Sequence, residues 1–248
     1  MKQLKYIMLM LGLVVTLLSG CASAPKPEKS PEQLYADGES AFNKGRYETS
    51  VTIWKEVRDS FPDPELAAKA EIGIANAYFL NHDYIEASAA YEEFRKLHPT
   101  HDLAQFALYR QALSNYNQIT GIDTDQTPTK NTLTLFETFV KQHPKSQYVP
   151  RVEEKIAECR AKLAQYEIYI GRFYYRTDKY TSAIGRLEGV LLAHPEYTGH
   201  DETLYYLGLS YIESKQQEKM RTVYSRLIRE YPSSKYIEDA SKLMAKHL

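Results

Sequence analysis

The sequence predicts an all-α protein, because three features point to helices stacked in pairs. An aromatic residue or a histidine precedes a proline five times, and the intervals between these prolines are 37, 45, 51 and 37 residues. Each proline follows an apolar helical stretch and would end it, since proline cannot continue the helical hydrogen-bond ladder. A turn followed by a tyrosine precedes most of these prolines, and no segment alternates with the period of two that is typical of a strand. The five dipeptides are Phe61-Pro62, His98-Pro99, His143-Pro144, His194-Pro195 and Tyr231-Pro232.

The turns define the repeating unit. A small residue, which lets two helices approach closely, follows each tyrosine by three positions. The turns are Gly45-Arg46-Tyr47, His82-Asp83-Tyr84 and Asp178-Lys179-Tyr180, and the small residues are Ser50, Ala87 and Ala183. The pattern is similar to the tetratricopeptide repeat, a helix-turn-helix unit of about 34 residues. We therefore expect an α-solenoid of about five such repeats with a C-terminal capping helix, in which stacked neighbours bury a continuous core and present a concave surface.

Residues 1–20 have the pattern of a secretory signal peptide. Lys2 and Lys5 precede the apolar run Tyr6–Leu18, and small residues follow it. The run is shorter than the about 20 residues that a membrane span needs. The tetrapeptide that ends in Cys21 resembles the lipobox of bacterial lipoproteins, which implies that acyl chains such as palmitate are attached to this cysteine. An ordinary signal peptide with a chance cysteine is the alternative.

Residues 21–32 are predicted to be a lipidated tether. They contain three prolines, small residues and charges, which cannot bury a core. The folded part is expected to begin near Pro31, after the N-cap candidate Ser30. We assign repeats 1–3 to residues 33–143, and repeats 4–5 with the capping helix to residues 144–248.

The composition narrows the location and the class of partner. Residues 22 and 23 are Ala and Ser, and an Asp after the lipidated cysteine is what tends to retain Gram-negative lipoproteins in the inner membrane. We therefore expect an outer-membrane lipoprotein that faces the periplasm. Without its signal peptide the chain carries 29 basic and 32 acidic residues, so no basic excess indicates nucleic acid as a partner. Cys159 lies in a helical pattern and is predicted to be a packing residue.

The expected helices follow from apolar spacing between the turns and the prolines. The third pair has an insertion at 120–127 between its helices, and the fourth pair has an unusually long first helix. The predicted helices are 31–44 and 47–60, 64–80 and 83–97, 102–119 and 128–142, 147–176 and 179–193, 200–214 and 216–230, and the capping helix 234–247.

Neither catalysis nor metal binding is predicted. The histidines at 98, 143 and 194 occupy equivalent positions in separate repeats and so should lie far apart. Asp123 and Asp125 resemble a fragment of a calcium loop, but the glycine and the final acid of such a loop are missing. No phosphate-binding glycine loop, nucleophile elbow or zinc-protease motif occurs. We therefore expect a protein that is not an enzyme and that has no cofactor.

Two aromatic groups are assigned to the core. Trp54 shares a helical face with Val51, Val57 and Phe61, and Tyr166, Tyr169 and Phe173 share a face of the long helix at steps of three and four. Tyr174 and Tyr175 point elsewhere on that helix and are candidate contact residues.

Beyond the repeat itself, several segments resemble the BamD family, whose members belong to the machine that folds β-barrel proteins into the outer membrane. The order and spacing of the segments hold over residues 31–213, whereas the last 35 residues match poorly. The segments are 98–101, 107–116, 136–139, 143–148, 161–167, 174–175 and 185–189.

The resemblance implies partners and contact residues. In this family the C-terminal repeats hold the barrel subunit BamA through a periplasmic POTRA domain, and an arginine that matches Arg186 pairs with an acidic residue there. The implied BamA-binding residues are Arg186, Glu188, Tyr174 and Tyr175. The N-terminal repeats are implicated in receiving unfolded outer-membrane proteins, and the candidates here are Tyr47 and Phe61. Other Bam lipoproteins are further implied partners.

One departure from the family and two other functions stay open. Relatives can carry a basic residue after the aromatic that matches Tyr47, whereas this chain has Glu48. An adaptor lipoprotein for cell division or peptidoglycan synthesis would have the same repeats and anchor. An enzyme with an unrecognised site would need a convergent polar pocket.

Overall fold

The computed structural model describes residues 29–247, and these contain eleven α-helices and no strand. The predicted signal peptide, Cys21 and most of the tether lie outside the described residues. The helices are α1 Pro31–Asn43, α2 Tyr47–Ser60, α3 Pro64–Leu80, α4 Tyr84–Leu97, α5 Ala104–Tyr116, α6 Thr127–Gln142, α7 Val149–Arg176, α8 Tyr180–Ala193, α9 His200–Glu213, α10 Gln217–Glu230 and α11 Ile237–Lys246.

The helices form a stack, because each one packs against the helices before and after it in the chain. This architecture confirms the predicted all-α solenoid of five helix pairs with a capping helix. The boundaries differ at a few ends. Helix α1 begins at Pro31, so 31–32 belong to the first repeat instead of the tether, and its N-cap Ser30 forms a capping box with Gln33. Helix α5 covers 104–116, less than the predicted 102–119, and α11 begins three residues later than predicted.

Four of the five turns between paired helices use the same backbone geometry, and the exception is the longer connection between α5 and α6. Four residues have positive φ, and each stands two positions before the second helix of its pair: Gly45 (71°), His82 (65°), Asp178 (59°) and Lys215 (57°). Only one of them is a glycine, although the left-handed region costs other residues about 1–2 kcal/mol. The turn therefore recurs even where the residue type disfavours it.

This geometry predicts opposite effects of two substitutions. Gly45→Ala should lower the free energy of unfolding by about 1 kcal/mol, because an added Cβ meets no atom within 4 Å and only the backbone is strained. Lys215→Gly should leave stability unchanged or raise it by up to about 1 kcal/mol, because strain is relieved while unfolded-chain entropy rises. Urea denaturation monitored by circular dichroism measures both. A loss of stability in Lys215→Gly as large as that in Gly45→Ala would contradict the strain argument.

The core runs along the stack as a series of clusters between adjacent helices. Trp54 and Val57 of α2 pack between α1 and α3. Tyr224 of α10 packs with Leu207 of α9 and with Ala240 of the capping helix. Cys159 is fully buried between α5, α6 and α7, where burial raises the pKa of its thiol to about 11. The thiol therefore stays protonated at neutral pH, and the packing role predicted for it is confirmed.

The core assignment of the aromatic residues on α7 is wrong for two of them. Tyr169 is 40% exposed and Phe173 is 51% exposed, while Tyr166 is half-buried. The cause is the length of α7, which has 28 residues, whereas its antiparallel neighbour α6 has 16. The last 12 residues of α7 therefore extend past the start of α6 and keep an uncovered side.

Across residues 29–247, no helix combines the length and the apolar character that a membrane crossing requires.

Candidate partner-binding grooves

A groove between α7 and α8 contains the arginine that the resemblance singled out. Its cavity measures about 610 Å³, and we call it the C-terminal groove. Glu167 and Tyr174 of α7 form one wall, and Arg186 of α8 rises beside them. The floor consists of the small residues Gly185, Gly189 and Ala193, which α8 presents at intervals of four.

The two glycines of this floor are unlike the other helical glycines. A Cβ added at Gly185 or Gly189 would meet no atom within 4 Å. At Gly38, Gly73 and Gly208 it would come within 3 Å of an aromatic ring, so the fold itself requires glycine there. A glycine inside a helix costs about 1 kcal/mol relative to alanine. The packing of this chain does not account for that cost at 185 and 189, whereas close approach of another molecule would.

Arg186 is held ready inside the groove by an ion pair within the chain. Its Nη1 donates a hydrogen bond to Glu167 Oε2 at 2.6 Å, and the two side chains are 47% and 29% exposed. This hydrogen bond raises the pKa of Arg186 further, so the guanidinium is always charged. An ion pair at such exposure contributes about 0–1 kcal/mol, so Arg186 can exchange Glu167 for another carboxylate at little cost.

The structure brings two of the four predicted BamA-binding residues together and places the other two on a different side. Arg186 and Tyr174 line the C-terminal groove. Glu188 faces α9, where its Oε1 accepts a 2.5 Å hydrogen bond from the Tyr211 hydroxyl. Tyr175 also faces that side, with its ring 5.8 Å from the ring of Tyr206. Roles in partner binding for Glu188 and Tyr175 stay predictions.

The two predicted substrate-binding residues lie at opposite ends of one helix. Tyr47 begins α2 and Phe61 follows its last residue, so they are about 20 Å apart along a 14-residue helix. Tyr47 packs against Phe42 at a ring distance of 5.5 Å and borders a small hollow of about 200 Å³ with Tyr78. The two residues therefore cannot form one compact site, although both could contact an extended polypeptide.

A second groove, in the N-terminal half, was not predicted from the sequence. It lies across α4, α5 and α6, measures about 570 Å³, and we call it the N-terminal groove. Its lining is polar and includes Arg95, Lys96, Gln111, Asn115 and Asn131. Arg95 Nη1 donates to Gln111 Oε1 at 2.7 Å, and burial lowers the pKa of Arg95. Its lining residues come from three helices that are separate in the sequence. The only sequence signal for this groove is the spacing of Gln111 and Asn115, which places both on one face of α5.

Among the described residues, neither groove brings a set of metal-ligating side chains together. Between Lys29 and His247, no group of three or more His, Cys, Asp or Glu side chains could hold a metal ion. His98 pairs through Nε2 with Glu71 Oε2 at 2.7 Å and packs on Phe94. The grooves offer hydrogen-bonding side chains, fixed charges and small residues, which suit polypeptide binding.

Comparison with known proteins decides the family. The sequence model of the YfiO family, described as an outer membrane lipoprotein, matches residues 27–225. The chain belongs to the YfiO family. Both grooves lie within the matched residues, whereas the capping helix α11 lies after them, in the part of the sequence where the resemblance was poor.

Individual relatives agree with this assignment. The chain is 30% identical to the outer membrane protein assembly factor BamD of Rickettsia prowazekii, over 96% of this chain and 94% of that one. It is 27% identical to the protein of the same name from Caulobacter vibrioides, over 94% and 78% of the two chains.

Among solved structures, the TPR2AB domain of yeast Sti1 in its pHSP90 complex aligns with a TM-score of 0.45 and 10% identity, over 88% of this chain and 82% of that one.

Proposed function

We propose that this chain is a scaffold of the β-barrel assembly machinery, anchored to the outer membrane through Cys21 and facing the periplasm. It would bind the POTRA domain of BamA through its C-terminal repeats and unfolded outer-membrane proteins through its N-terminal repeats. Membership in the YfiO family and the relatives named as assembly factors support this role. The single observation that carries it is the C-terminal groove, which presents Arg186 above a glycine floor.

The proposed contact with BamA is an exchange of carboxylates. Arg186 leaves Glu167 and pairs with an acidic residue of the POTRA domain, which enters over Gly185 and Gly189. The planar guanidinium can bind a carboxylate through two parallel hydrogen bonds, which fixes the orientation of the partner as well as its position. Because Glu167 already holds the side chain in place, little rotamer entropy is lost on binding.

The N-terminal groove is the proposed contact surface for substrates. The amide groups of Asn115 and Asn131 can hydrogen-bond to the backbone of an extended chain without reading its sequence. Gln111 is 5% exposed and its amide is already bonded to Arg95 and Glu92, so it supports the groove from within. Arg95 adds positive charge that suits an acidic segment or a terminal carboxylate, whereas the charge of Lys96 is balanced by its ion pair with Glu92 in the same groove. This surface accounts for substrate contact better than Tyr47 and Phe61 alone, because those two residues lie at opposite ends of α2.

A capture experiment with three variants tests the BamA contact. We expect Arg186→Glu to reduce recovery of BamA with the lipidated chain at least about tenfold, since two carboxylates would then face the partner's acid. Arg151→Glu, on the exposed N-terminal turn of α7, is the matched charge reversal and should leave recovery unchanged. Circular dichroism should show the same helical content in both variants.

Glu167→Gln separates binding from internal support. If Arg186 serves the partner, this variant frees it, and BamA recovery should hold or rise. If Arg186 only ties α8 to α7, Glu167→Gln should weaken recovery as Arg186→Glu does, and the proposed contact is wrong. Recovery of peptidoglycan enzymes in place of barrel subunits would favour the adaptor of cell division or peptidoglycan synthesis.

A further inference from the structure

Helix α7 carries an apolar seam that is only half covered. Seven side chains recur along it at alternating steps of four and three, the spacing at which one helix packs against another. They are Val152, Ile156, Cys159, Leu163, Tyr166, Ile170 and Phe173. Val152 and Cys159 are fully buried, and Ile156 packs on the same cluster. From Leu163 onward the side chains are half-buried or exposed.

The seam side chains become exposed at the point where α7 extends beyond α6. The 16 residues of α6 can cover only about the first 16 residues of α7, because the two helices are antiparallel and joined by a short turn. The seam continues without a break for 12 more residues, about 18 Å. Exposed Tyr169 widens it at one edge. Within the described part of the chain, Leu163, Tyr166, Ile170 and Phe173 belong to no buried cluster.

We propose that the second half of this seam, Leu163 to Phe173, binds an amphipathic helix of a partner protein that carries acidic residues beside its apolar stripe. The seam itself indicates a helix, since its first half is filled by a helix of this chain and the spacing does not change. One flank indicates acidic residues, because Lys162 and the exposed Arg176 lie on the edge of the seam that Tyr169 widens. On the other edge Arg186 of α8 is paired with Glu167, so that edge adds no net charge. A helix in this position is a contact separate from the glycine floor, and it does not rest on the proposed function.

The test uses a synthetic probe. A labelled three-heptad peptide with leucine at a and d and glutamate at e and g has like charges that keep it from pairing with itself. It is titrated by fluorescence anisotropy against the full lipidated chain in nanodiscs, with empty nanodiscs as a blank. We expect a Kd below about 100 µM. A peptide with lysine at e and g should bind at least about tenfold more weakly, because one flank of the seam carries Lys162 and Arg176 and the other carries no net charge.

Variants locate the binding site. Ile170→Asp should weaken binding of the acidic peptide at least about tenfold, because it places a charge in the apolar contact. Phe173→Asp is a second probe at a position that is 51% exposed, so its folding is not at risk. Leu192→Asp, at an 83% exposed leucine of α8 outside the seam, is the control and should have no effect.

Three results would overturn the proposal. The acidic peptide fails to bind, or it binds equally well to the wild type and to Phe173→Asp. The third is a dimer of the chain in sedimentation equilibrium that Phe173→Asp abolishes, which would make a second copy the occupant. None of these results bears on BamA recovery with Arg186→Glu, so the two proposals fail separately.

Discussion

Replacing Trp54 with alanine should lower the free energy of unfolding by about 3–5 kcal/mol, the largest stability effect we expect in this chain. The indole is 3% exposed and lies between two helices that present glycine to it. A Cβ at Gly38 would come within 2.4 Å of the indole nitrogen, and one at Gly73 within 2.9 Å of the ring. The indole N–H also donates to the Tyr35 carbonyl oxygen at 3.2 Å.

The size of the loss follows from how little the site can relax. Helices α1 and α3 approach the indole through Gly38 and Gly73, and these positions have no side chain that could move in to fill the cavity. The rings of Phe42 and Tyr35 lie 5.5 and 5.9 Å from the indole and would lose their contact with it. Urea denaturation followed by circular dichroism measures the effect, which should appear in the N-terminal repeats, since each repeat depends mainly on its neighbours. Phe173→Ala, an aromatic truncation at an exposed site, should cost less than about 1 kcal/mol. Equal losses in both variants would show that burial of Trp54 is not what stabilises these repeats.

Gly189→Leu should weaken the proposed contact with BamA at least about tenfold while leaving the fold as stable as before or more so. The added side chain has open space to enter, since a Cβ at 189 meets no atom within 4 Å, and leucine favours a helix over glycine by about 1 kcal/mol. The same side chain would occupy the floor of the C-terminal groove and block close approach of a partner.

The matched control is Thr181→Leu, an exposed position on α8 that does not line the groove. BamA affinity would be measured by titration of its POTRA domain, and stability by urea denaturation of the same samples. A variant that is more stable and binds worse is difficult to explain by misfolding. If Gly189→Leu binds as tightly as Thr181→Leu, the glycine floor is not part of the interface.

Much of the fold could be predicted because its signals are local. The residue before each repeat proline ends its helix as predicted, and His98, His143, His194 and Tyr231 adopt nearly the same C-cap geometry, with φ between −126° and −131°. The turns of three pairs were visible as two or three residues before a helix start, whereas the turn at Lys215 was not recognised. Proline, turn residues and apolar spacing act within a few positions of the chain, so they can be recognised without knowing which helices meet.

The sites were predictable only in part. Arg186 and Tyr174 lie together in one groove, as the resemblance implied for BamA-binding residues. Glu188 instead points toward α9 and does not line that groove. The polar groove around Gln111 escaped detection because its residues are distant in sequence. The exposure of Phe173 was missed because helical periodicity identifies an apolar face but not its partner.

By itself, the sequence determined the helices, their order, the turns between them and the expectation of a lipid anchor at Cys21, because each of these depends on neighbouring residues. Only the tertiary structure decided which apolar faces are covered and which charges meet. Helix α6 is too short to cover α7, so part of a continuous seam is left open, and the packing of α8 on α7 sets Arg186 beside Glu167. Helical glycines therefore have different roles. Those at 38 and 73 make room for the Trp54 ring, whereas those at 185 and 189 face open space.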